Sequence, residues 1–520
     1  MRERPAENSI GPWRGTQVSR RLPHALMAIL GGLLLFAWGT GTAQAARIRL
    51  LLDNGHTRVL NDRYLPRAGQ TPVPRVGVRS GPPKRAPAVT AAAARAESAR
   101  LTVPQRLSQL ERGGSITAAR ERGYLSTWRA AERAHTRLHA TRRAELGAVI
   151  GTLQAITARH ELTQSRLPAL FLTLARNTQW WRTGPLLSSG SRVEFSGSQL
   201  VWEYYSGQGI ELQVLGSFGK ADGLYTAGRA HYRQLQALLS ELIPLAVHRA
   251  GGLAWEYYFS FDGGRTPWVS AMAQGTALEA LTRAYRATGD ASYLALAHQA
   301  LGILRRRPGS GVAVPERTGT RFLQYSFAPR LDIINAFLQT LIGLYDYATY
   351  SGDQTAWRLF AAGDAQARAE LPHFDTGAWS LYQPGLEDDL SYHELVTGFV
   401  SQLCSRTHAP VYCQTARHFQ AYLRTPPALT QLTGRGTAQR PLTLRFRLSK
   451  VSHVGIVILR GSRTVLATSA SFPYGRHGFA VPALRRGSYV VHLAATDLAG
   501  NFHRSIGSLV LAPGRRAKTG

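Results

Sequence analysis

The chain reads as mainly α with β: an α/α toroid of helical hairpins, preceded by short β-structure and followed by a β-sandwich. Three observations predict this. Between Trp268 and Pro426, apolar residues recur at three- and four-residue spacing and are punctuated by Gly-Asp and Pro-Gly pairs. Ahead of that block, Gly-punctuated phrases of aromatic and β-branched residues suit short strands. After Leu429 the hydrophobic period drops to two. Length and composition agree, since 520 residues at 44% hydrophobic supply an ordinary core and exclude a disordered chain. Two cysteines exclude a small disulfide scaffold and a Cys-rich zinc protein.

The elements follow in order. Arg14, Arg20 and Arg21 precede the apolar run Ala25 to Trp38, which leads into Thr42-Ala43-Gln44-Ala45, so residues 1–45 read as a secretory signal peptide. The run is shorter than the ~20 residues that cross a bilayer, which favours cleavage over an uncleaved anchor. The mature chain is expected to be secreted or held at the cell envelope. Residues 46–100, Pro-, Arg- and Ala-rich, are expected to be an extended linker. Residues 101–179 carry helical spacing through Leu107, Leu110, Tyr124, Trp128, Leu146, Ile150 and Leu153. Residues 180–262 hold the aromatic phrases; Trp202-Glu203-Tyr204-Tyr205 returns as Trp255-Glu256-Tyr257-Tyr258, which suggests two related aromatic ribbons.

Residues 263–428 are the toroid. Its strongest stripe is Ile334, Phe337, Leu338, Leu341, Ile342 and Tyr345, ended by Ser351-Gly352-Asp353, and its last clear one is Leu395, Phe399, Val400 and Leu403. Residues 438–513 form the sandwich, in which Leu442, Leu444, Phe446 and Leu448 alternate with polar residues. Its ending, Ala494 to Asn501, resembles the last strands of Ig-like modules appended to secreted bacterial proteins.

The formal charge of +31 invites a nucleic-acid partner. Only Lys84, Lys220, Lys450 and Lys518 are lysines, however, and the arginines are scattered rather than gathered in a short run, so no nucleic-acid role is expected. Guanidinium grips carboxylate and sulfate in a planar, bidentate way, so the partner that suits this charge is an anionic, uronic-acid polysaccharide or an anionic envelope surface. For Cys404 and Cys413 an intrachain disulfide and two buried thiols both stay open. Monomer and homodimer likewise stay open.

No HExxH, CxxC, GxSxG or Walker pattern occurs, so the sequence predicts neither a metal nor a cofactor. Tyrosines stand where helices and turns meet, at Tyr325, Tyr345, Tyr382 and Tyr392. Paired phenols in a polar cleft can exchange protons on the two faces of a sugar.

The run Arg265 to Gly275, containing Trp268, Ser270, Met272 and Gln274, resembles the opening of the D-glucuronyl C5-epimerase C-terminal domain. Ile334-Asn335-Ala336-Phe337-Leu338 through Tyr345-Asp346 resembles that family's next block, and Leu371 to Gly377 with Tyr382 and Tyr392-His393 its third. The similarity covers about residues 250–405. It implies an α/α toroid preceded by β-structure and inversion of D-glucuronate to L-iduronate in a heparosan-like chain. It also implies active-site roles for three tyrosines, with Tyr392 first for proton transfer and Tyr325 and Tyr382 as partner or positioning groups. Gln324 stands where the family carries glutamate, and Gly385 where it carries arginine. Gln324, His393, Tyr345, Arg321 and Arg330 are then the expected substrate-binding residues. A polysaccharide lyase, a glycoside hydrolase using Asp375, Glu387, Asp388, Asp389 or Glu394, and a non-catalytic glycan-binding protein are the alternatives.

Overall fold

A computed structural model describes residues 46–65, 101–260 and 263–513. The signal-peptide segment 1–45 and most of the expected linker lie outside the described residues. The start of that linker does not: Ala46–Leu51 (β1) and Thr57–Asp62 (β2) pair antiparallel, and β1 runs parallel to Arg192–Phe195 (β3). Ala46, Ile48 and Leu51 are buried there, and Lys220 clamps Asp62 (2.9 Å) to Glu194 (2.6 Å). Residues 46–65 are therefore part of the folded core. The segment looked like linker because its partner strand lies far along the chain.

Four helices follow: Val103–Arg112 (α1), Ala118–Arg137 (α2), Ala140–Ala158 (α3) and Leu167–Thr183 (α4). Thr102 and Gln105 close a capping box at the first of them, satisfying amide donors that a helix start leaves free. Helix α4 runs past the expected boundary because Trp180 and Trp181 are buried on it. Trp202–Tyr205 (β4) and Gly209–Leu212 (β5) complete a five-stranded sheet in the order β2-β1-β3-β4-β5. Val214–Thr226 (α5), Tyr232–Leu242 (α6) and the hairpin Val247–Arg249 (β6) with Gly252–Ala254 (β7) lead onward. The second Trp-Glu-Tyr-Tyr is not a second ribbon: Arg166 (2.7 Å) and Arg249 (2.6 Å) pin Glu256, and only Tyr257 bridges, to Trp268.

The next block is Ala271–Thr288 (α7), Ser292–Ala300 (α8), the hairpin Ala313–Pro315 (β8) with Thr320–Phe322 (β9), Ile334–Ser351 (α9) and Gln354–Glu370 (α10). Leu381–Gln383 (β10), Leu386–Glu387 (β11), Leu390–Thr407 (α11) and Pro410–Tyr422 (α12) end it. The Gly-Asp pairs act as stop and start signals: Gly352 takes a left-handed C-cap at φ 71°, and Asp353 caps the next helix through the Thr355 and Ala356 amides. Helices α7 and α9 touch where glycine is obligatory, since a Cβ on Gly343 would stand 2.0 Å from the Gly275 carbonyl oxygen. Helix α9 also packs on α10 and α11, and α11 on α12, to which the Cys404–Cys413 disulfide joins it. No helix among the described residues is long and apolar enough to cross a membrane.

One apolar core runs from Ala46 to Phe419, and a second from Leu429 to Leu511. The second lies between two sheets. Leu429–Gln431 (β12), Leu442–Leu448 (β14) and Gly475–Val481 (β17) form one. Arg435–Thr437 (β13), Ser452–Arg460 (β15), Arg463–Phe472 (β16), Gly487–Asp497 (β18) and Phe502–Ala512 (β19) form the other. Two short strands thus precede the expected start at 438. The period-two alternation along β14 is the reason its Leu444, Phe446 and Leu448 face this core.

Candidate active site

The hairpin β10–β11 and the first turn of α11 build one corner. Asp389 caps α11, its Oδ1 accepting from the Tyr392 amide at 2.9 Å, so the Tyr392 side chain leaves the helix in its first turn. It meets Tyr382 edge to face, ring centroids 5.1 Å apart, and both are buried. Tyr325 lies on an extended segment held by the Ser326 amide bonding the Val269 carbonyl and the Ala271 amide bonding the Leu323 carbonyl. Burial raises the Tyr382 phenol well above its ordinary value, and the neighbouring Tyr325, Tyr392 and Asp388, with a hydrogen bond to Tyr325, push it further. The three sequence-predicted tyrosines are therefore brought together.

An aromatic path leads from this corner to the N-terminal sheet. Trp268 meets Tyr325 at 5.5 Å and stacks on Tyr257 at 4.2 Å; Phe259 meets Trp268 at 5.4 Å and stacks on Tyr205 at 4.2 Å. Strands β3, β4 and β5 are buried on both faces. On one, Trp202 packs edge-on against Phe195, and Tyr204 donates to Glu145 at 2.7 Å. On the other the register places Arg192, Glu203 and Glu211 in a row, with Tyr205 beside it. Gln213 donates to the Tyr205 oxygen at 2.7 Å, and the Tyr257 hydroxyl accepts from the Leu215 amide at 3.1 Å.

This row is buried at unusual cost. Arg192 is 4% exposed and Glu203 1%, with Nε and Oε2 3.5 Å apart. Nε, Nη1 and Nη2 of Arg192 and Oε2 of Glu203 have no hydrogen-bond partner among the described residues. Burial raises the Glu203 carboxyl, against the pull of Arg192 and of hydrogen bonds from Gln213 and Tyr205. Burial alone pushes the Glu211 carboxyl well above its ordinary value.

Behind the tyrosine corner lies a second buried network. Ser380 Oγ is 2.5 Å from Asp388 Oδ2 and 2.7 Å from His393 Nδ1, and His393 Nε2 is 3.0 Å from the Phe419 carbonyl oxygen. A carbonyl only accepts, so the network assigns the imidazole proton to Nε2 and leaves Nδ1 as an acceptor, which the Ser380 amide meets at 3.3 Å. The Ser380 hydroxyl donates to Asp388 Oδ2. Burial raises Asp388 to about 8, against the pull of the Ser380 hydrogen bond, and lowers His393 to about 4.

The remaining expected residues do not join the corner, apart from Gln324, which is buried beside Tyr325 with Oε1 unpartnered among the described residues. His393 follows Tyr392 in sequence, but the helical rotation turns it onto Trp379, at 3.7 Å, and toward α12. The Tyr345 hydroxyl donates to the Arg406 carbonyl at 2.8 Å, with its ring against Trp357 and Phe360. Arg321 is held by Glu316 (2.9 Å), Glu370 (3.3 Å) and Asp332 (3.5 Å), and Arg330 is exposed. The sequence reading missed Arg192, Glu203, Glu211, Tyr205 and Tyr257 as site residues, and named Asp388 only under the hydrolase alternative. Alternation within Trp202-Glu203-Tyr204-Tyr205 could have separated Glu203 and Tyr205 from their neighbours, though not shown what they face. No group of three or more His, Cys, Asp or Glu able to hold a metal occurs among the described residues.

Residues 251–421 match the family model described as D-glucuronyl C5-epimerase C-terminus. A D-glucuronyl C5-epimerase of Caenorhabditis elegans is 34% identical over 128 residues, 22% of this chain and 21% of that protein. An uncharacterized protein of Methanocaldococcus jannaschii is 27% identical over 137 residues, 25% of this chain and 44% of its own. The chain thus spans under half the length of the curated relatives it matches. Among solved structures, cellobiose 2-epimerase from Spirochaeta thermophila aligns at 14% identity with a TM-score of 0.33, covering 54% of this chain and 73% of that one. The same enzyme from Bacillus thermoamylovorans aligns at 9% with a TM-score of 0.32, covering 55% and 75%.

Proposed function

Taking residues 251–421 as a D-glucuronyl C5-epimerase C-terminal domain, we propose that this chain is a carbohydrate epimerase. In this reading it inverts C5 of D-glucuronate to L-iduronate within an anionic polysaccharide, outside the cytoplasm. The helices are read as an α/α toroid and the C-terminal sheets as an Ig-like module. The meeting of Tyr325, Tyr382 and Tyr392 in one corner carries the reading.

C5 lies next to the carboxylate, into which charge delocalises when its proton leaves. Inversion needs one group to take that proton and another to return one to the opposite face. We assign the first role to Tyr392 as phenolate. Tyr382, whose raised phenol holds its proton, is the donor. One turnover leaves Tyr392 protonated and Tyr382 ionised; before the next, Tyr392 releases its proton to solvent and Tyr382 takes one up from solvent, the Tyr325 hydroxyl hydrogen-bonded to it being the assigned relay. The growing negative charge on the substrate carboxylate calls for a fixed cation. Arg321 is already held by carboxylates and Arg330 is exposed, so Arg192, with its unmatched donors, is assigned that part. Glu203, Glu211 and Tyr205 are assigned to sugar hydroxyls.

Gln324 favours one second reading, a non-catalytic glycan-binding protein, because an amide is no base. Incubation with heparosan and other uronans in D2O, followed by NMR at C5, separates the two. Deuterium entry with iduronate signals is the expected result. Binding without exchange would overturn the epimerase in favour of the binder, an unsaturated UV-absorbing uronate would identify a lyase, and new reducing ends a hydrolase.

A further inference from the structure

The hairpin that carries Tyr382 is too small to hold itself. Strand β10 has three residues and β11 two, with Gly385 turning between them at φ 82°, and an isolated hairpin of two strands is marginal in water. Two loops of the C-terminal β-module close on it. The Glu387 carboxylate accepts from the Val451 amide at 2.8 Å through Oε1 and from the Tyr474 amide at 2.7 Å through Oε2. Val451 lies between β14 and β15 and Tyr474 between β16 and β17, so one side chain ties two separate loops to the hairpin.

The neighbouring Lys450 makes the second tie. It is 1% exposed, and its Nζ donates to the Tyr422 carbonyl (2.8 Å), the Thr425 carbonyl (2.5 Å) and Asp497 (2.5 Å). The same ammonium lies 5.1 Å over the Trp379 ring, whose Nε1 donates to the Asp388 carbonyl at the foot of the hairpin. Asn501 of the module also donates to the Leu423 carbonyl at 3.0 Å. A mere spacer would have no need to bury a lysine under the helical core or to engage both oxygens of a hairpin carboxylate.

We infer that the C-terminal β-module braces the Tyr382 hairpin, with Glu387 and Lys450 as positioning residues. The catalytic part of this inference rests on the epimerase reading; the mechanical part does not. Hydrogen exchange on the full chain therefore comes first. Glu387→Ala is expected to speed exchange of the amides of 380–388 about tenfold, with helix α9 unmoved, and Glu387→Gln to restore part of the protection. Lys450→Met paired with Asp497→Asn, which avoids a stranded buried charge, is expected to do the same. On heparosan, both are expected to lower kcat for C5–H exchange with KM nearly held.

Unchanged exchange at 380–388 in Glu387→Ala, or faster exchange confined to the module's own strands, would overturn the brace. If the wild type shows no C5–H exchange at all, the epimerase reading falls while the hairpin amides still decide the brace. Should the double variant not fold, Glu387→Ala and Glu387→Gln decide it alone.

Discussion

The tyrosine corner and the N-terminal sheet both bury ionisable side chains and treat them in opposite ways. Behind the tyrosines, Ser380 donates to Asp388 through its hydroxyl and to His393 Nδ1 through its amide, and His393 Nε2 meets the Phe419 carbonyl, so each donor has an acceptor. On the sheet, Arg192 keeps Nε, Nη1 and Nη2 without hydrogen-bond partners among the described residues, and Glu203 keeps Oε2 so. A matched network carries little penalty and fixes geometry. An unmatched one holds an uncompensated desolvation cost that a bound ligand's own donors and acceptors can relieve. The first network is scaffold for the tyrosine hairpin; the second is the row to which the proposed epimerase reading assigns the substrate.

The contrast can be broken most strongly at the tyrosines themselves. Tyr392→Phe is expected to lower C5–H exchange by about 10²- to 10⁴-fold, with little change in thermal unfolding; activity within a factor of a few of wild type would remove Tyr392 from the chemistry. Next comes the N-terminal sheet. Arg192→Met leaves Glu203 as an uncompensated buried acid and is expected to cost about 3 to 5 kcal/mol in denaturant unfolding. Adding Glu203→Leu is expected to recover most of that, and equal instability of single and double variants would show that the two do not act as a pair.

The scaffold network is sharpened by pH. Asp388 titrates near 8 in the fold against an ordinary 3.8, so the folded chain keeps a proton that the unfolded chain releases between those values. Its contribution to stability, complete below the lower value, is lost as pH rises toward 8, with a slope of about 1.4 kcal/mol per pH unit. His393, lowered from 6.5 to about 4, acts in the other direction, its contribution present above 6.5 and lost as pH falls toward 4. Asp388→Asn is expected to flatten the decline between pH 6.5 and 8 in urea titrations at stepped pH, and an unchanged slope would put the proton elsewhere. The smallest effect belongs to Tyr345→Phe, which removes one hydrogen bond to Arg406 for about 1 kcal/mol of stability and leaves exchange activity untouched.

Local pattern alone determined where most helices lie and which face each buries. The stripe Ile334 to Tyr345 becomes α9, Leu395 to Leu403 lies along α11, and the alternation from Leu442 marks β14. The sequence also marked Tyr325, Tyr345, Tyr382 and Tyr392 at helix–turn junctions, and the resemblance to the epimerase family singled out Tyr325, Tyr382 and Tyr392 among them. Periodicity succeeds there because an element's buried face is written within a few turns of its own chain. It has no means of naming the partner. That β1 would run parallel to β3, that Arg192 and Glu211 would flank Glu203, and that Lys450 would reach beneath Trp379 were decided only when distant segments packed. Tyr392 and His393 show the same limit at the scale of one residue. Adjacent in sequence, they part company because a helix turns about 100° per residue, and only tertiary packing decided that one direction meets Tyr382 and the other Trp379.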